Sequence, residues 1–212
     1  MNFDLTEEQI LIRDAARNFA RTELLPGVIE RDDKQIFPAE QLFDKMTQSG
    51  FNKDSIGRVL NGSNGFTGVL KVAGNYGGTT SGNRAHFIAG ACYLHNKDFN
   101  NAVKHLKEFS TSSKQPQSAA YRMLGDAYAE LKQNDNAFTY YKKAVDVADV
   151  KDESTRFLSL SRLALYCEVT GKTKEAIDYY QQIKDDITPG FFRDNRIDFQ
   201  VDKYLARLGV TK

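Results

Sequence analysis

The stretch AYRMLGDAYAELKQNDNAFTYY, residues 120–141, decides how this chain is organised. A small residue, Gly125, stands mid-way along a first helical pattern. Twelve residues later comes Ala137, and four after that the bulky Tyr141. The same order recurs in AHFIAGACYLHNKDFNNAVKHL, residues 85–106, as Gly90, Ala102 and Leu106. It recurs again in SLSRLALYCEVTGKTKEAIDYY, residues 159–180, as Ala164, Ala176 and Tyr180. The small residues are 35 and then 39 residues apart. A fixed period of this length is the mark of a repeat architecture. The residue types have a physical reason. Small side chains on both helices of a hairpin let the two approach closely, and the aromatics Tyr93, Tyr128, Tyr141 and Tyr180 fill space between neighbouring hairpins. A single hairpin cannot bury its apolar face, so the units stack.

This register resembles the tetratricopeptide repeat. Leu124, Gly125 and Tyr128 follow the family's Leu-Gly-aromatic pattern in full, and Ala89, Gly90 and Tyr93 follow it nearly. The third copy departs, with Leu163, Ala164 and Cys167. The inter-helix turns read NKDF, KQND and TGKT, and the family's closing proline has a counterpart only in Pro189, one residue late. The resemblance implies an all-α fold, an α-solenoid of helical hairpins with an N-terminal helical segment and a C-terminal capping helix. Repeats are expected over 83–116, 118–151 and 157–190, with a degenerate repeat over 42–80. In that last span QLFDKMTQSGF, SIGRVLNG and GFTGVLKVAGNYGG read as helices, with stop signals at Asn61-Gly62 and Gly77-Gly78. The polar stretch ADVKDES lengthens the link to the third copy, where Asp152 or Ser154 suits a helix N-cap. A capping helix is expected over 194–209, with Ile197, Val201, Tyr204, Leu205 and Leu208 on one face and Gly209 as its stop.

The family register also implies a binding groove along the first helices. It carries over to Arg84, Phe87 and Ala91, to Arg122, Asp126 and Ala129, and to Ser161, Arg162 and Leu165. The Lys/Asn carboxylate clamp of some family members is not reproduced there. Arg84, Arg122 and Arg162 in a mixed groove suit an acidic or extended peptide.

The first forty residues have another character. Thr6-Glu7-Glu8-Gln9 is a capping box that starts a helix, Ile12, Ala16 and Phe19 form an apolar stripe, and Pro26-Gly27 ends it. The wording LTEEQILIRDAARNFARTELLPGVIERDDKQIFPAEQ is similar to the N-terminus of acyl-CoA dehydrogenases. The resemblance covers residues 1–41 and places them as the opening helices of that family's helical domain. The family's flavin site and catalytic glutamate lie later, and residues 42–212 hold no counterpart of either. NYGGTTSG, residues 75–82, reads as a repeat boundary. A natural fusion, a hybrid and a deliberate chimera all give such a sequence. Bacterial repeat proteins of this style often carry a membrane span before the first repeat, which points to an envelope-tethered, periplasmic origin for the repeat part. The leader without a span or signal pattern reads as cytoplasmic.

Composition narrows the chemistry. A formal net charge of +1 draws the chain to neither nucleic acid nor acidic membrane. Hydrophobic residues at 41% and charged residues at 27% are ordinary for a globular chain, and four prolines leave no disordered linker. His86, His95 and His105 have no metal-ligand spacing, and phosphate loops and nucleophile elbows are absent. Cys92 and Cys167 read as buried structural thiols, and Asp185-Asp186 as solvated surface. No catalytic, cofactor or metal residue is expected, so the chain reads as a non-enzyme. Two functions compete: a scaffold that holds a partner protein or peptide in the groove, and a dehydrogenase-related protein whose leader docks to a flavoenzyme.

Overall fold

The computed structural model describes residues 53–63, 66–195, 197 and 199–210. The expectations placed on residues 1–52, including the helix from Thr6, lie outside the described residues. Residues 53–212 form one compact unit.

Its fold is all-α apart from one tiny ribbon. Helix α1 (Lys53–Asn61) stops at Gly62, whose φ of 85° is open to glycine. Strands β1 (Gly62–Ser63) and β2 (Phe66–Thr67) pair antiparallel, Gly62 with Thr67 and Ser63 with Phe66. The helix expected from Gly65 therefore starts later, as α2 (Val69–Asn75). Gly68 sets that start, because a Cβ there would lie 2.3–2.4 Å from the backbone of residues 60–62.

Three hairpins follow. They are α3 (Thr80–His95) with α4 (Phe99–Glu108), α5 (Lys114–Glu130) with α6 (Asn134–Val147), and α7 (Glu153–Val169) with α8 (Thr173–Asp186). The sixteen-residue offset from small to bulky residue is the internal contact of each hairpin. A Cβ added to Gly90 would fall 2.5 Å from Leu106 Cγ, and one on Gly125 would fall 2.5 Å from Tyr141 Cδ1. Ala102, Ala137 and Ala176 are fully buried, as are Ala164 and Tyr180. Tyr141 and Tyr180 thus fill space inside their hairpins as well as between them. Tyr141 meets Tyr166 of the next hairpin at a ring distance of 5.0 Å, and Tyr180 stacks on Tyr204 at 5.1 Å.

The turns between paired helices share one geometry. Lys97, Lys132 and Gly171 all sit in the left-handed region, at φ of 61°, 59° and 76°. The following N–H returns to the carbonyl five residues back: Asp98 to Tyr93, Gln133 to Tyr128, Lys172 to Cys167. These are Schellman closures, where glycine is favoured and two lysines stand instead. Asp98 and Asp152 then cap α4 and α7, accepting from the N–H of Asn101 and Thr155.

Hairpins are joined by a few buried polar bonds. Ser118 and Ser159, both fully buried, share a 2.8 Å hydroxyl contact between α5 and α7, and Ser118 donates to the Ala144 carbonyl. Arg156 donates to the Val145 carbonyl at 2.9 Å and pairs with Asp186 at 2.7 Å. Asp186, expected as solvated surface, is therefore a half-buried ion-pair partner whose charge is used inside the fold.

The C-terminal capping helix is shorter than expected. The span 194–209 is divided between the end of α9 (Pro189–Asp194) and α10 (Val201–Arg207), with non-helical residues between. The cause is aromatic. Phe191, Phe192 and Phe199 gather around Phe157 at ring distances of 5.8, 5.3 and 5.0 Å, which a continuous helix would splay apart. Val201 and Leu205 bury α10 against α8, and Gly209 ends it at φ 87°.

Candidate functional site

The first helices touch one another along the stack, α3 with α5 and α5 with α7. The second helices meet the neighbouring hairpin chiefly through its first helix. Elements on the inside of a bend lie closest together, so this pattern puts α3, α5 and α7 on the inner side.

The residues expected in the groove divide by exposure. Arg84, Arg162 and Leu165 are exposed, while Phe87, Ala91, Arg122, Asp126, Ala129 and Ser161 are half-buried. Phe87 turns against Phe109, with ring centroids 4.8 Å apart. Three exposed apolar positions on the first helices were not among the expected residues. They are Ile88 on α3 and Leu158 and Val169 on α7. Leu158, Arg162, Leu165 and Val169 are spaced four, three and four apart, so they share one stripe of α7. A helical wheel of the third copy alone would have exposed that stripe. Arg162 and Leu165 of that stripe are among the expected residues, whereas Phe87 and Ser161 are half-buried.

Two expected groove residues come together. Asp126 of α5 accepts a 2.7 Å hydrogen bond from the Tyr141 hydroxyl and lies 3.4 Å from the Arg162 guanidinium of α7. Burial, then the Asp126 carboxylate, push the Tyr141 hydroxyl well above its ordinary range, so it stays a donor. A second such unit closes the array. Tyr180 donates to Glu168 at 2.8 Å, and Arg207 of α10 reaches both oxygens of that carboxylate. Carboxylate, tyrosine and arginine thereby fix the inner face at two successive levels.

Outside this face, His86 of α3 and His105 of α4 lie Nδ1 to Nδ1 at 3.2 Å. Nineteen residues separate them, so only the hairpin's pairing brings them together. Tyr93 stacks on His105 at 5.4 Å. Burial, followed by His86, lowers the pKa of His105. Cys92 and Cys167 are unpaired thiols, and burial raises that of Cys167 to about 11, so it is inert at neutral pH. Among the described residues no three His, Cys, Asp or Glu side chains converge on a metal position, and no helix is long and apolar enough to cross a membrane.

Comparison with known families agrees with this geometry. The tetratricopeptide repeat family matches residues 116–185, which takes in α5 to α8. Residues 116–185 are tetratricopeptide repeats. The acyl-CoA dehydrogenase N-terminal domain matches residues 6–67. That match runs past Gln41, so α1 and the β-ribbon fall inside it, and only 68–80 of the degenerate repeat expected over 42–80 lie outside. The chain is 42% identical over 67 residues to an acryloyl-CoA reductase (NADH) of Anaerotignum propionicum. The matched stretch is 32% of this chain and 17% of the reductase, so the chain spans a small part of that relative's length. No solved structure matches the chain.

Proposed function

We propose that this chain is a non-catalytic scaffold that holds a partner segment against the inner face of its tetratricopeptide array. Repeats of this family suggest protein interaction. The observation that carries the reading to this face is its mixed, exposed lining. Leu158, Leu165 and Val169 stand clear of the core beside Arg162, and Ile88 beside Arg84. Apolar side chains exposed in a row cost solvation unless something covers them. A row with cations interspersed suits an extended peptide carrying apolar and acidic side chains. The Asp126–Tyr141 hydrogen bond and the Arg162 contact hold the base of the face rigid, which lowers the ordering cost of binding.

The test is selection of extended peptides from a random display library on the full chain. Binders should weaken on Arg162→Glu and on Leu165→Asp, with helicity by circular dichroism unchanged. A selection without binders, or binders indifferent to both substitutions, overturns the reading.

The dehydrogenase match favours a second reading, in which residues 6–67 dock the chain to a flavoenzyme. Truncation to residues 68–212 separates the two. It removes docking to a dehydrogenase and leaves peptide binding intact, provided the shortened chain keeps its helicity.

A further inference from the structure

We propose that His86 and His105 form a two-histidine binding site for a borderline divalent transition-metal ion, with copper(II) the best fit. The Nδ1 atoms of the two rings face each other at 3.2 Å across α3 and α4. Two ring-nitrogen lone pairs at that distance repel unless a positive centre lies between them. A proton on one ring is the simplest such centre, and a metal ion is the other. Imidazole nitrogens bind such ions at about 2.0–2.1 Å. Two nitrogens at that bond length and 3.2 Å apart subtend ~100° at the ion, between square-planar and tetrahedral values. The rings therefore need little movement to chelate.

The surroundings suit a weak, exchangeable ion. The Tyr93 ring stacks on His105 and fixes its plane. Both histidines are half-buried, so one side of the pair stays open to water. With no third protein ligand converging among the described residues, water completes the coordination. Lys104 opposes a cation beside His105, and Glu108 favours one. Copper(II) heads the affinity order for such nitrogen donors.

The proton balance is simple. Each bound ring is neutral, with Nδ1 on the metal and the proton on Nε2. From the neutral pair, one proton moves from Nδ1 to Nε2 and none is released. From the singly protonated pair, one proton leaves to solvent. Binding must therefore weaken as pH falls through the histidine range.

The experiment titrates copper(II) alone into the full chain at neutral pH, read by electron paramagnetic resonance and calorimetry. One ion per chain with two-nitrogen hyperfine structure is expected, lost in His86→Ala and in His105→Ala and kept in His95→Ala. His105→Phe, which retains a ring for Tyr93, must also lose it while keeping wild-type helicity, and this decides the matter should His105→Ala unfold. No bound copper, binding that survives removal of either ring, or binding that follows His95 overturns the proposal and leaves the pair a plain hydrogen bond.

Discussion

Replacing Lys132 with glycine should stabilise the protein. Lys132 occupies the left-handed C′ position of the α5–α6 turn at φ 59°, closed by the Gln133 N–H on the Tyr128 carbonyl. An L residue with a Cβ costs roughly 1–2 kcal/mol there, because Cβ crowds the carbonyl that follows. Glycine removes that cost but gives the unfolded chain more freedom, an offset of about 0.5–1 kcal/mol. The Lys132 side chain is exposed, so little packing is lost. The net gain is about 0.5–1 kcal/mol, equivalent to roughly 1–4 °C in Tm for a chain of this size. The third hairpin carries the control. Gly171 holds the same position at φ 76°, with nothing within 4 Å of an added Cβ. Gly171→Lys should therefore destabilise by a similar amount, through backbone strain alone. Urea unfolding followed at 222 nm measures both midpoints. A Lys132→Gly midpoint at or below wild type, or a neutral Gly171→Lys, would falsify the strain argument.

Other substitutions probe packing and charge. Gly125→Ala should lower stability: overpacking against Tyr141 costs about 1–3 kcal/mol and exceeds the ~1 kcal/mol helix-propensity gain. Gly74→Ala on α2, where an added Cβ meets nothing, should show that gain alone, and chemical melts compare the two. Arg156→Ala leaves the Asp186 carboxylate without the guanidinium and takes one of two donors from the Val145 carbonyl, which keeps the Ala148 N–H, and should cost about 2–3 kcal/mol by the same melts. Lys114→Ala, which breaks the exposed pair with Asp149, should leave the midpoint unchanged within error. His105 titrates below its unfolded value near 6.5. The unfolded chain then binds more protons in that window, so stability is full above pH ~6.5 and falls as pH drops below it. In chelator, wild type should lose more stability between pH 7 and pH 5.5 than His105→Phe does, and equal losses would refute the assignment.

The hairpins were legible because their contact is local in sequence. The sixteen-residue offset from small to bulky residue recurs in all three copies, so the helix pairs could be read from the sequence, while the contacts of Leu106 with Gly90 and of Tyr141 with Gly125 inside their hairpins show only in the structure. What escaped depends on side-chain competition. The capping helix lost its middle because Phe191, Phe192 and Phe199 all favour the surface of Phe157, and periodicity scores each residue separately. Exposure within the expected groove also escaped, because the repeat register names a helix turn without saying which of two adjacent side chains is covered. Phe87 lies against Phe109, and Ile88 remains outside. The His86–His105 contact and the Arg156–Asp186 pair join residues 19 and 30 apart in ways no motif spacing encodes.

The C-terminal aromatic cluster has a consequence for engineering length. A repeat array can in principle be extended like a stack of identical tiles, each new tile using the surface the last one leaves. Here the surface of α8 is already taken by α10, and the end of α7 by Phe191, Phe192 and Phe199. New units fused after Leu208 would find no tile to sit on. Lengthening the array calls for insertion at the polar link Asp149–Asp152, between the second and third hairpins. There the added hairpin inherits one native surface on each side and the terminal plug stays in place.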